Sequence, residues 1–342
     1  MTTVHASDGQ PRVLCRWSGR GVSVEQVEVA ASKLRSGEET AATRTSVVNL
    51  AVVADDLATL DRTGSAMRRL GARHPGRTVL ILARPEAPAG IDAEVTLHEA
   101  VAEGHTVWWE EVRIAAGGSC ARHLDSVVAP LAVRHLPLAV WFPGALPPPG
   151  DKLAALADAV LVDVRFAEPL GWGRGDLEAE LAALVELARR CPVVDLSWKR
   201  LTPWRELLAV LAGMPSVAPF LAEVRSAHVS AQPGPRRLLA GWLVSRLGLR
   251  RDRVSLEDAL HASVSIHAEV DGRRATLSVE RTSDERVVRA VAVVDGHEEL
   301  SLSETLPEHG LTWSLARALS DLGPDPIYEH SLSAALGWGD ER

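Results

Sequence analysis

The sequence predicts an α/β domain followed by an α+β domain, and three observations carry that reading. The chain has 342 residues, about two domains at roughly 150 residues each. From Ser46 onward, apolar runs of strand length alternate with segments of helical spacing, the pattern of a sheet with helical connections. Beyond about residue 215 the pattern changes: after a helix, apolar residues alternate with polar ones over Val264–Val270 and again over Ala275–Val279, Val287–Val294 is a third strand, and Asp271-Gly272 and Asp295-Gly296 follow the first and the third. Two such dipeptides mark an antiparallel meander. The expected division is a tail over 1–43, an alternating α/β sheet domain over 44–170, and an α+β domain over 171–338 with the meander flanked by helices.

Each element has a local reason. In the tail, Ala30–Leu34 has a short helical pattern, but Gly37, Glu38 and Glu39 follow without a core signal. Val47–Val53 is an apolar run, interrupted at Asn49 and ending at Asp55 and Asp56, which reads as a buried strand. Leu57, Leu60, Met67 and Leu70 fall at helical spacing, and His74-Pro75-Gly76 ends that helix. Thr78–Ala83, Val95–His98 and Val107–Ile114 are the next strands. A helix is expected over about Ala121–Val133, then a strand over Leu138–Phe142. Four prolines and two glycines make Pro143–Gly150 a loop.

A short helix over Leu153–Ala159 leads to a strand over Val160–Phe166. Leu177, Leu181, Leu184, Val185 and Ala188 give Asp176–Arg190 one apolar face. Pro192 stops this helix, and Val193–Leu196 is a strand. Thr202 is the expected N-cap of a helix running to Gly213, with Pro203 at its first position. Pro235–Leu247 is an amphipathic helix stopped by Gly248. After the meander, helices are expected over Leu311–Leu322 and about Pro326–Leu336.

Composition excludes several classes. Hydrophobic residues make 46% and charged residues 24% of the chain, ordinary globular usage. A net charge of −8 argues against broad nucleic-acid binding. No apolar run approaches the roughly 18–20 residues that cross a bilayer, and the first residues have no signal-peptide shape. Cys15, Cys120 and Cys191 are isolated and form no C-x-x-C. The expectation is a cytoplasmic protein with reduced thiols and neither a disulfide framework nor a zinc ribbon.

Enzyme signatures are sparse. Gly171-Trp172-Gly173-Arg174-Gly175-Asp176 precedes a helix, and Asp195 ends the next strand. That separation is near the one at which a dinucleotide fold holds a ribose. The glycines, however, are spaced G-x-G-x-G, and Trp172 and Arg174 add bulk where a pyrophosphate must approach the backbone. A flexible loop before a helix is the plainer reading. There is no G-x-S-x-G elbow, no Walker motif and no H-x-x-x-H. Cys120 stands just before an expected helix, where a helix N-terminus lowers a thiol pKa. A plain helix-start cysteine is the commoner case. No catalytic residue, cofactor or metal is assigned.

Three polar features stand out instead. Arg44-Thr45-Ser46 precedes the first strand, which contains Asn49. His74-Pro75-Gly76-Arg77 is a turn carrying a cation into a strand. Asp195 to Glu206 (DLSWKRLTPWRE) places Trp198, Trp204, Lys199, Arg200 and Arg205 around a strand-to-helix loop. Such loops lie where open sheets bind ligands, and Trp and Arg anchor interfaces. The alternative for Trp198 and Trp204 is a place in the core.

The third feature extends into DLSWKRLTPWRELLA, which resembles the signature of the glucose-6-phosphate dehydrogenase assembly protein family, OpcA. RTSVVNLAVV, HPGR, LPLAVWFPG with Trp141, LLAGWLVSRLG and DPIYEHSL resemble other family segments in the same order, so the resemblance spans about residues 44–338. It implies a non-catalytic partner of glucose-6-phosphate dehydrogenase, acting as assembly factor and activator at the entry of the oxidative pentose phosphate route. The expected partner- or ligand-binding residues are Arg44, Ser46, Asn49, His74, Arg77, Trp141, Asp195, Trp198, Arg200, Trp204 and Arg205. They could equally form a pocket for a small phosphorylated effector, since Arg suits phosphate geometry. The competing class is a nucleotide- or sugar-phosphate-binding α/β enzyme using Gly171–Gly175 and Asp195.

Overall fold

The computed structural model describes residues 11–36, 47–71, 74–102, 105–164, 176–308 and 310–338. They group into two compact units. The first holds the residues up to Val162 with Arg190–Val193 and Leu315–Gly323; the second holds Asp163–Arg189, Val194–Ser314 and the residues from Pro324 on.

The first unit begins with β1 (Arg12–Gly19) and α1 (Val24–Ser36). Then come β2 (Val48–Ala54), α2 (Leu57–Leu70), β3 (Gly76–Arg84), β4 (Gly90–Ala102) and β5 (His105–Gly117). Two short helices follow, α3 (Gly118–Arg122) and α4 (Leu124–Val128), and then β6 (Leu138–Trp141), α5 (Lys152–Leu156) and β7 (Ala159–Val162). With β8 (Val193–Asp195) the sheet order is β1-β4-β5-β3-β2-β6-β7-β8. From β5 to β7 neighbouring strands are parallel, whereas β1 and β4 pair antiparallel, as do β4 and β5. β2 and β3 are buried along nearly their whole length, which is why their sequences are continuous apolar runs. Asp56 caps α2, accepting from Thr59 N at 2.8 Å.

Two expectations are corrected here. Residues 12–36 are not a tail: β1 is the edge strand of the sheet, and α1 buries Val27, Ala30 and Ala31. The apolar face of α1 is only three small or branched residues wide, too weak a periodic signal to read alone. The helix expected over 121–133 is broken into α3, α4 and a 3₁₀ turn over 129–131. His123 leaves helical geometry at φ −128°, ψ 53°, and Cys120 therefore lies inside a five-residue helix rather than before a long one.

The second unit carries α6 (Leu177–Ala188), α7 (Leu196–Arg200), α8 (Thr202–Ala212), β9 (Val224–Ala231) and α9 (Pro233–Leu247). It continues through β10 (Val254–Asp258), β11 (Ser263–Val270), β12 (Arg273–Arg281), β13 (Val287–Val294) and β14 (His297–Thr305). The first turn of α10 (Gly310–Ser320) and all of α11 (Pro326–Ala334) complete it. Its sheet runs β10-β9-β11-β12-β13-β14, with only β10 and β9 parallel. The meander turns as expected: Asp271 and Gly272 have φ of 52° and 75°, and Asp295 and Gly296 have 50° and 83°. Both central residues must be left-handed in this hairpin turn. β9 and β10 were not expected; each is short of the clean alternation that marks the meander strands.

The cap assignment near residue 202 also changes. Asp195 caps α7, accepting from Ser197 N at 2.8 Å, and Leu201 precedes α8 with Thr202 as its first helical residue. One glycine explains a sequence motif. A Cβ at Gly241 of α9 would stand 2.1 Å from the Ser331 carbonyl oxygen of α11, so LLAGWLVSRLG and DPIYEHSL meet backbone to backbone. Among the described residues no helix is long and apolar enough to cross a membrane.

Candidate functional site

The candidate residues of the first unit serve its framework. Asn49 Nδ2 donates to the carbonyls of Val133 (2.9 Å) and Leu136 (3.3 Å), and its Oδ1 accepts from Val133 N at 2.8 Å. It pins the 133–136 turn, where His135 has φ 69°. Arg77 is buried, with Nε on Glu110 at 2.7 Å and Nη1 on Glu28 at 2.6 Å. Glu110 also holds Arg35 at 3.0 Å. The His74 backbone N–H closes the end of α2 on Leu70 O at 2.9 Å, and Trp141 is buried in β6. Arg44, Ser46 and the loop Gly171–Gly175 lie outside the described residues.

In the second unit the tryptophan-rich segment builds a buried polar cluster. Ser197 Oγ donates to Asp163 Oδ1 at 2.7 Å, and Arg200 Nη2 pairs with the same oxygen while donating to Ser197 Oγ at 3.0 Å. Trp198 is almost wholly buried; its Nε1 donates to Asp325 at 2.9 Å, and the Arg205 guanidinium lies 3.5 Å from its ring centroid. Trp204 is buried too and donates to Ala262 O at 2.8 Å. Neither indole is an exposed interface anchor, and the core alternative describes both.

Asp195 is the floor of this cluster. Its Oδ1 accepts from Ser197 N and from Val164 N (3.4 Å), and its Oδ2 accepts from the Tyr328 hydroxyl at 3.3 Å. A carboxylate so enclosed cannot reach a ribose, which removes the key residue of the dinucleotide reading. Burial, and secondly the charge of Asp163, push its pKa up to about 7. A pKa raised on folding adds stability below the unfolded value near 3.9 that is lost as pH rises through 7. Asp195→Asn keeps the Oδ1 acceptor, so its unfolding free energy relative to the wild type is expected to gain roughly 4 kcal/mol between pH 4 and 8, at about 1.36 kcal/mol for each pH unit by which the carboxyl is raised. Urea titrations at intermediate pH values measure this; a constant difference across that range would refute the assignment.

Above the cluster is a cavity of about 160 Å³. Ser197, Arg200 and Trp204 contribute to its wall, joined by Gln232, His261, Arg281 and Trp313. Leu260, 74% exposed, lines the side open to solvent. Sequence reading missed Gln232, His261, Arg281 and Trp313, because each is an isolated polar or aromatic residue in its own element. No group of three or more metal-ligating side chains occurs among the described residues.

The comparisons with known proteins match two successive stretches of the chain. Residues 67–184 match the glucose-6-phosphate dehydrogenase subunit N-terminal domain, and residues 191–332 match its C-terminal domain. The class is thus a subunit-type protein built from this pair of domains. The chain belongs to the OpcA family. Similar relatives bear the name OxPP cycle protein OpcA. That of Nostoc punctiforme is 26% identical over 190 residues, 52% of this chain and 39% of the relative. That of Synechocystis is 24% identical over 189 residues, 52% and 38%, and that of Synechococcus elongatus is 26% identical over 190 residues, 52% and 41%. The chain spans about two fifths of the length of these curated relatives in the matched region.

Proposed function

We propose that this chain is a non-catalytic assembly factor and allosteric activator of glucose-6-phosphate dehydrogenase, acting by protein–protein binding in the oxidative pentose phosphate pathway. The observation that carries the reading is the ordered pair of dehydrogenase-subunit domains over residues 67–184 and 191–332. The use of Asp195, Arg77 and Trp198 as internal ties favours it over the dinucleotide-enzyme reading. Binding the active conformation of the dehydrogenase more tightly than the inactive one shifts its population. A tenfold preference corresponds to about 1.4 kcal/mol, within reach of one interface anchor.

The test is an assay of glucose-6-phosphate dehydrogenase from the same organism, titrating substrate with and without this chain. The expected result is a lower apparent KM or a higher kcat, no turnover by this chain alone, and co-elution of the two proteins on a sizing column. Unchanged kinetics together with separate elution would rule out the proposal.

A further inference from the structure

We propose that the cavity of the second unit is a binding site for a small phosphomonoester, held by Arg200 and Arg281 at the convergence of three helix N-termini. This goes beyond the partner-binding reading and does not depend on it.

The electrostatics of the wall select an anion. Leu201, Pro203 and Trp204 belong to the start of α8, Gln232 and Pro235 to the start of α9, and Gly310 and Trp313 to the first turn of α10. These helices are 11, 15 and 11 residues long, and each N-terminus carries a partial positive charge of roughly half an elementary unit. Three such ends beside one cavity raise its potential, as at known phosphate sites. Arg200, Arg281 and His261 line the same space, and among the described residues no Asp or Glu does. The nearby carboxylates stand behind the wall: Asp163 on Arg200, and Glu285, itself 76% exposed, 3.9 Å from His261.

The guanidinium groups have unspent donors. Arg200 Nη1 and Arg281 Nε have no hydrogen-bond partner among the described residues, and both are closed to water, so a ligand meets them once the guanidinium groups turn toward the cavity. Arg281 otherwise donates to the Glu285 carbonyl oxygen at 2.9 Å and lies 5.7 Å from the Trp204 ring centroid. A buried guanidinium N–H left unmade is costly, and a phosphate oxygen would satisfy it with a charge-assisted bond. Burial also lowers the pKa of Arg281, with Glu285 acting the other way, as expected of a cation held without a carboxylate on its open side.

Size and wall chemistry narrow the ligand. About 160 Å³ lies below the roughly 300–1,000 Å³ of pockets for drug-sized ligands. An enclosed space near this volume holds about a benzene-sized group, so the phosphate and its nearest carbons would fill it, with the rest of the skeleton toward the open side at Leu260. The indoles of Trp204 and Trp313 offer apolar surface to that skeleton.

Isothermal titration of the full chain with hexose 6-phosphate, inorganic phosphate and unphosphorylated hexose, at matched ionic strength, tests the site. The expected result is saturable one-to-one binding of the hexose phosphate, with no saturation by hexose. Arg281→Gln should weaken binding at least about tenfold, while Arg289→Gln, removing an exposed cation on β13, should change it less than about twofold. Gln232→Glu is the second variant. It places a negative charge in the wall at the N-cap of α9, where an acidic residue favours the helix, so folding is retained while phosphate binding falls by a similar factor. Lack of saturation by ~10 mM hexose phosphate, equal binding of hexose, or undiminished affinity in Gln232→Glu would each overturn the proposal. None of these outcomes bears on co-elution with the dehydrogenase.

Discussion

Replacing Trp198 by alanine is expected to destabilise the second unit by about 3–5 kcal/mol, the largest loss available from one residue of the tryptophan-rich segment. Trp198 is 1% exposed and is the largest fully buried side chain among the described residues. Three losses act together. The indole volume becomes a cavity beside Tyr328, whose ring centroid is 5.8 Å away at a tilted angle. Arg205 loses the face over which its guanidinium sits. Asp325 loses the indole N–H, although it still caps α11 through Ile327 N and Tyr328 N at 3.0 Å each. Trp198→Phe keeps most of the ring and forfeits chiefly the hydrogen bond, so a loss nearer ~1 kcal/mol is expected. Urea denaturation followed by tryptophan fluorescence and far-UV circular dichroism separates the two variants. A loss below ~1 kcal/mol in the alanine variant would mean that the indole is not part of the packed core. Because Trp198 is buried, any effect of its removal on a partner enzyme must first be corrected for the fraction unfolded.

Arg77→Met is expected to destabilise the first unit by a comparable ~3–5 kcal/mol. Its side chain is 2% exposed and bridges Glu110, 11% exposed, to Glu28, 35% exposed. It also donates to the Leu131 carbonyl. Removing the cation takes from the buried Glu110 carboxylate its 2.7 Å guanidinium partner, while Arg35 stays 3.0 Å away. Adding Glu110→Gln to Arg77→Met is therefore expected to recover part of the loss, and a double-mutant cycle measures the coupling. Simple additivity of the two substitutions would show that the pair does not interact. The neighbouring Gly76 supports the same geometry. A Cβ there would stand 2.1 Å from the Val48 carbonyl oxygen, so the glycine of the His-Pro-Gly-Arg turn allows β3 to start close against β2, where Arg77 is set between its two carboxylates.

Much of the architecture was legible in the residues alone. The parallel strands β2 and β3 announced themselves as largely apolar runs, and the meander by its two Asp-Gly turns. Helices α2, α6, α9 and α11 carried periodic apolar faces or stop signals at recognisable positions. The misses share a cause. Segment 12–36 is held by pairing of β1 with β4 and by the ion pairs Glu28–Arg77 and Arg35–Glu110, all of which involve residues at least 49 positions away. No local window contains that information.

The candidate site divides the same way. Sequence by itself determined the alternating half and the meander, the turn chemistry and the family signature, because each rests on residues within a few positions of one another. Only the tertiary structure decided what the conspicuous side chains do. Trp198 meets Asp325 across 127 positions, and Asp195 meets Tyr328 across 133. A tryptophan or an aspartate has the same local pattern whether it faces solvent or core; its role is set by whether a distant partner satisfies its polar atom once water is excluded. The cavity follows the same rule. Its cations and its three helix starts come from four separate stretches of chain, and their joint field exists only where the fold brings them together.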